Sequence, residues 1–112
     1  MEPLTPAVFH ILLSLADGEK HGYAVMQEVE ERTEGALVMG PGTLYGTLKR
    51  MLEAGMVEES GERPDPAIDD QRRRYYRLTR NGHRAAAKEA ERLEALVRAA
   101  RAKSLLRRPQ RA

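Results

Sequence analysis

Catalytic or metal-binding chemistry in this 112-residue sequence would have to come from His10, His21 and His83, from Ser14, Ser60 and Ser104, or from Asp65, Asp69 and Asp70. The histidines are scattered, and none stands four residues from another beside a glutamate, as a zinc-hydrolase helix needs. The serines have no adjacent base and no nucleophile-elbow context. The aspartates suggest a cation loop, yet Pro64 and Pro66 interrupt them, and the glycine and closing glutamate of an EF-hand loop are missing. A polar loop explains them better. The sequence contains no cysteine, which excludes a thiolate nucleophile, a thiolate metal site and a disulfide framework together. The acidic residues fall on amphipathic segments, where solvated charge is their expected role. The expectation is a protein that is not an enzyme and uses no metal and no cofactor.

The residues that do gather are basic. From Gln71 to Arg84 the chain carries Arg72, Arg73, Arg74, Arg77, Arg80 and Arg84 without an acid, whereas Glu28 to Glu34 and Glu53 to Glu62 are acid-rich. The formal net charge is only +2, so the clustering, not the total, is what suits a phosphate-binding surface. Taken alone, such a block fits a solvated protein face equally well.

Positioning these side chains falls to a short series of elements. Thr5-Pro6 starts a helix that is apolar nearly all round, through Val8, Phe9, Ile11, Leu12, Leu13, Leu15 and Ala16, and Asp17-Gly18 ends it. A helix of that kind must be covered on more than one face, which points to a second subunit. A second helix is expected from about Lys20 to Arg32, with Gly22, Met26 and Val29 on its inner stripe. Gly40-Pro41 opens a third, in which Leu44, Leu48, Met51 and Leu52 are buried, and Gly55 closes it. Met56 to Ser60 and Arg73 to Leu78 read as strands joined by a stretch rich in Gly, Pro and Asp. Thr79 caps a final helix to about Ser104, with Glu94 placed to pair with Arg98. The fold class is mainly α with a small β-hairpin.

Burial of Leu44, Leu48 and Met51 predicts Thr43, Gly46, Thr47, Lys49 and Arg50 on the opposite or flanking faces of the third helix. A major groove admits one helix, and small residues near its N-terminus, here Gly42, Thr43 and Gly46, let backbone approach phosphate. Thr43 and Thr47 are then candidates for base-edge or methyl contacts, and Lys49 and Arg50 for phosphate or guanine. Strand alternation turns Tyr76 and Leu78 toward the core and Arg73, Tyr75 and Arg77 away, with Arg72 and Arg74 near the hairpin tip. A basic tip beside a groove-entering helix can rest on the flanking backbone or minor groove. Following three helices, the arginine block favours DNA over solubilising charge. In the last helix Ala86, Ala90, Leu93, Val97 and Ala100 recur at the spacing of a coiled-coil seam, with Leu96 beside it. That stripe either pairs with a second copy, aided by Phe9 of the first helix, or lies back on its own domain.

His21-Gly22-Tyr23, then Gly42-Thr43-Leu44-Tyr45 with Leu48 and Arg50, Glu53-Ala54-Gly55-Met56-Val57, and Arg74-Tyr75-Tyr76-Arg77-Leu78-Thr79 with Gly82 resemble the successive signatures of PadR family transcriptional regulators. The resemblance spans about Leu4 to Arg84. It implies a winged helix-turn-helix with a C-terminal dimerisation helix, and a homodimer on a palindromic operator. It also implies a recognition role for the helix carrying Thr43 and Tyr45, and DNA-backbone contacts near His21 and Tyr23. Composition alone marks His21 as a helix-capping or surface residue, and leaves Tyr45 open between packing under the helix and touching DNA. Family members commonly carry proline after that tyrosine, where this sequence has Gly46. A single final helix resembles the compact branch of the family. Some members release DNA on binding phenolic acids or flat hydrophobic drugs, so the resemblance implies a small hydrophobic or phenolic effector as a partner class. One Phe and no Trp offer little to stack on such a ligand.

These observations divide the chain into a winged-helix DNA-binding domain over residues 1–79, a dimerisation helix over 80–106 and a basic tail over 107–112. The expected function is sequence-specific binding of double-stranded DNA by a transcriptional regulator, in the form of a homodimeric repressor. The alternative is a winged-helix protein-interaction module that does not bind DNA. The sequence has no apolar run of membrane-spanning length, and its start lacks the basic and small-residue pattern of a signal peptide, so a cytoplasmic protein without membrane contact is expected.

Overall fold

The computed structural model of the chain describes residues 3–62 and 74–107. Thr5 caps α1 (Pro6–Leu15) by accepting a hydrogen bond from the Val8 amide. Pro6 costs nothing at the first helical position, where an amide would have no intrahelical partner. The chain then forms a two-residue strand, β1 (Lys20–His21), before entering α2 (Gly22–Arg32). The helix expected from about Lys20 thus begins two residues later, because Lys20 and His21 pair with Tyr76 and Tyr75 in a sheet. His21 closes the strand and caps the helix, its Nδ1 accepting from the Ala24 amide at 3.0 Å.

α3 (Pro41–Glu53) ends at Ala54, and Gly55, at a φ of +74°, supplies the left-handed turn into β2 (Val57–Glu62). β2 and β3 (Arg74–Leu78) pair antiparallel, Val57 opposite Leu78 and Glu58 opposite Arg77, with a register shift between Glu59 and Gly61 that leaves Ser60 as the extra residue of a bulge. The sheet has the order β1-β3-β2. The small hairpin expected from the sequence is therefore two strands of a three-stranded sheet, with β3 in the middle.

One apolar cluster holds these elements together. It takes Ile11, Leu12 and Leu15 from α1, Val25 and Val29 from α2, Met39 from the connecting loop, Leu44, Leu48 and Met51 from α3, and Val57, Tyr76 and Leu78 from the sheet. Tyr76 and Leu78 face inward and Arg77 outward, as strand alternation requires.

The last helix, α4 (Arg80–Ala102), is fastened at its first turn. Thr79 Oγ1 accepts from the Gly82 amide and donates to the Gly55 carbonyl, while the Thr79 amide donates to the Met56 carbonyl. Gly82 sits so close that a Cβ there would lie 2.0 Å from the Met56 carbonyl oxygen. Only glycine allows this approach. Beyond that turn α4 runs mostly exposed, and Glu89 is its other buried residue.

Candidate nucleic-acid interface

The core sets the roll of α3. With Leu44, Leu48 and Met51 inward, the helix presents Gly42, Thr43, Lys49, Arg50 and Glu53 to solvent. Its N-cap is Gly40, which offers no side-chain oxygen to the first amides. A Cβ added at Gly40, Gly42 or Gly46 would meet nothing within 4 Å. The first turns of α3 are therefore a smooth, open ridge with polar amides at one end and cationic side chains further along. Such a ridge can approach a polyanion at backbone distance.

Thr47 corrects the sequence-based expectation. The sequence places it on an exposed or flanking face as a base-contact candidate, whereas it is 2% exposed and belongs to the buried side. Its hydroxyl donates to the Thr43 carbonyl at 2.7 Å and accepts from Arg50 Nη2 at 3.3 Å. Spacing explains the burial, since position 47 lies between Leu44 and Met51 on the inner arc of the helix. Polar character masked that periodicity.

The other flank of α3 faces the sheet. Tyr45 is half-buried, packs against the core and lies over Gly22 at the start of α2. Tyr45, Lys49 and Leu52 line a cleft of about 320 Å³ whose far wall is Glu59, Arg74 and Tyr76. Burial, with the Glu59 charge, pushes the Tyr76 phenol up from its ordinary value, so it stays a neutral hydroxyl at physiological pH. Arg74 Nη1 lies 3.9 Å from Glu59 Oε1, and Arg77 Nε donates to Glu58 at 2.7 Å, so both described wing arginines are accompanied by carboxylates of β2. Arg72 and Arg73, expected at the hairpin tip, lie outside the described residues.

His21 and Tyr23 stand at the N-terminal end of α2, both half-buried. The His21 ring caps the helix and meets Tyr75 edge to face, with centroids 5.5 Å apart. Its capping role agrees with the reading from composition. Among the described residues no group of three or more His, Cys, Asp or Glu is arranged to hold a metal ion. No helix among them is long and apolar enough to cross a membrane.

Comparison with known proteins decides the class. The Transcriptional regulator PadR-like family matches this sequence over residues 11–88, from the middle of α1 into α4. The chain belongs to that family. It is similar to the transcriptional regulator Rv3488 of Mycobacterium tuberculosis, with 39% identity over 89 residues, which cover 80% of this chain and 77% of the relative. Its fold is similar to a PadR family transcription regulator from hypervirulent Clostridium difficile, with a TM-score of 0.71 and 22% identity over 87% of this chain and 96% of the other. It is also similar to Bacillus subtilis PadR in complex with operator DNA, with a TM-score of 0.65 and 17% identity over all of this chain and 53% of that one. The described architecture is thus a PadR-like winged helix with a long C-terminal helix.

In this PadR-like chain, α1 and α4 carry the remaining predicted residues. Phe9, Ala86, Leu93, Val97 and Ala100 are half-buried, while Ala90 and Leu96 are exposed. Leu96 is 55% and Leu13 41% exposed. Glu89 was not anticipated. It is buried beside this strip, accepting from the Leu4 amide at 3.4 Å and from Arg92 at 3.0 and 2.6 Å. The signal available in the sequence was the i,i+3 spacing of Glu89 and Arg92 within an otherwise small-residue stripe.

Proposed function

We propose that this PadR-like transcriptional regulator binds double-stranded DNA as a homodimer, with α3 in the major groove and the β2–β3 hairpin as a wing on the flanking backbone. The observation that carries this reading is the open ridge of Gly42, Thr43 and Gly46, continued by exposed Lys49 and Arg50, on a chain of this family. The fold shared with Bacillus subtilis PadR, a protein solved with operator DNA, supports it. His21, Tyr23, Thr43, Tyr45, Lys49, Arg50, Arg72, Arg73 and Arg74 make up the proposed DNA-binding set, Tyr45 by way of its packing beneath α3. Thr47 supports that set from beneath.

Residues 1–79 form the DNA-binding domain, 80–106 the dimerisation helix and 107–112 a basic tail. Two copies pair along α4 through Ala86, Ala90, Leu93, Leu96, Val97 and Ala100, with Phe9 of α1 beside them. Pairing sets the two α3 helices into successive major grooves about 34 Å apart on a palindromic operator. Occupancy of a promoter then represses transcription in the cytoplasm. The mainly apolar space of about 280 Å³ lined by Leu4, Pro6, Phe9 and Leu93, with His10, Glu89 and Arg92 at its edge, supports a small hydrophobic or phenolic effector as the releasing ligand, one smaller than the usual pocket of about 300 Å³ or more would take. Fluorescence anisotropy on duplex from the chain's own upstream region, against scrambled duplex across a salt series, tests the reading. Selective, salt-sensitive binding supports it, and equal weak binding to both duplexes contradicts it.

A further inference from the structure

The two cations of α3 are held in different ways. Lys49 is directed toward the wing, where it lines the cleft with Tyr45, Glu59 and Arg74. Arg50 lies on the opposite flank, over the stretch that holds Thr43 and Thr47. The ion pairs between described residues engage Lys20, Arg32, Arg74, Arg77, Arg92 and Arg98, and none of these pairs involves Arg50. Its single described partner is the neutral hydroxyl of Thr47.

That hydroxyl has one proton, and the proton is committed to the Thr43 carbonyl at 2.7 Å. What remains toward Arg50 is a lone pair, so Thr47 can only accept there. Thr47 is itself fixed, being 2% exposed and, as a β-branched residue, stiff at its first side-chain torsion. Arg50 is thereby anchored at one nitrogen while its side chain stays exposed at the surface, and no other bond to a described residue holds its donor fork. Gly46, one turn earlier, presents no side chain, and the space above it is open. A base edge can therefore come up to the anchored guanidinium. A planar donor fork held at a helix surface matches the two major-groove acceptors of guanine, O6 and N7.

We infer that Arg50 reads a guanine in each operator half-site, and that buried Thr47 is the positioning residue that aims it. This rests on the proposal that α3 enters the major groove. Lys49, held on the wing side, serves the backbone instead.

The test is selection from a random duplex library with the full-length chain and with Arg50→Ala, Thr47→Val and Thr47→Ser, each checked for native helicity by circular dichroism. Val keeps the shape and burial of Thr47 without the hydroxyl, and Ser keeps the hydroxyl without the methyl. The wild-type chain selects a two-fold motif with one strongly preferred guanine per half-site. That preference falls roughly tenfold or more in Arg50→Ala, falls in Thr47→Val, and survives in Thr47→Ser, while the other motif positions persist. An unchanged guanine preference in Arg50→Ala overturns the inference and leaves DNA binding standing. Loss in Arg50→Ala with full retention in Thr47→Val overturns the positioning role. No motif from the wild-type chain overturns the inference and the function beneath it together.

Discussion

Tyr45 fills the space that a side chain on Gly22 would enter. A Cβ at Gly22 would lie 2.7 Å from the Tyr45 hydroxyl oxygen and 2.8 Å from two carbons of its ring. The contact joins the first turn of α2 to α3, so the helix that carries Lys49 and Arg50 is set against the helix that His21 caps. The glycine of the His21-Gly22-Tyr23 motif is thus explained by close packing.

Gly22→Ala should cost about 1–3 kcal/mol of stability, as overpacking typically does. In a Tyr45→Ala background the same change should cost little, because the obstructing ring is gone. Thermal unfolding of the four proteins of this cycle checks the coupling. Additive effects would mean that the two residues do not oppose each other.

Replacing Arg72, Arg73 and Arg74 together by Ala should weaken binding to every duplex similarly. The slope of log K against log salt should fall by about 2 to 3 per subunit if each arginine meets a phosphate. Lys49→Ala should lower it by about 1. Anisotropy titrations over a salt series give these slopes, and an unchanged slope in the triple variant would remove the hairpin from the interface.

Leu96→Glu and Val97→Glu should each weaken self-association by roughly tenfold or more, since each places a charge where an apolar side chain would be buried. Sedimentation equilibrium reads the constant. Variants that associate as well as the wild type would show that α4 pairs elsewhere or not at all.

Two groups should make stability fall in acid, in separate windows. His10 sits on α1 facing Arg32 of α2, with Glu89 and Arg92 of α4 across the neighbouring space. Burial, then the Arg32 charge, holds its pKa below the usual 6.5. The unfolded chain therefore takes up that proton first, and stability declines as pH falls below about 6.5 toward the lowered value. For Glu89, hydrogen bonds from Arg92 hold the carboxyl below the usual 4.5. Its contribution is present above about 4.5 and is lost as pH falls through the depressed value. His10→Gln should flatten the first decline and Glu89→Gln the second, measured as melting temperature against pH by circular dichroism. Curves that keep their wild-type shape would contradict both assignments.

Much of this fold was legible because its signals are local. Thr5 with Pro6, Gly40 with Pro41, and Thr79 mark helix starts by stereochemistry that needs no tertiary information, and all three starts agree with the structure. β1 was not legible, since two residues carry no alternation and Lys20 and His21 pair with residues far along the chain. The polarity of Thr47 points outward while its spacing points inward, since the interval from Leu44 to Thr47 to Met51 is that of one helix face. Glu89 was hidden for the same kind of reason. A buried carboxylate declares itself only when the Leu4 amide and Arg92 are seen around it.

Under the proposed function two copies of this chain clasp one stretch of DNA. Sedimentation velocity of the full chain with a fluorescein-labelled duplex from its own upstream region tests it most directly. The expected result is a complex of two chains per duplex that does not form with scrambled sequence. A labelled duplex that sediments free at every protein concentration, or carries a single chain at saturation, would contradict it.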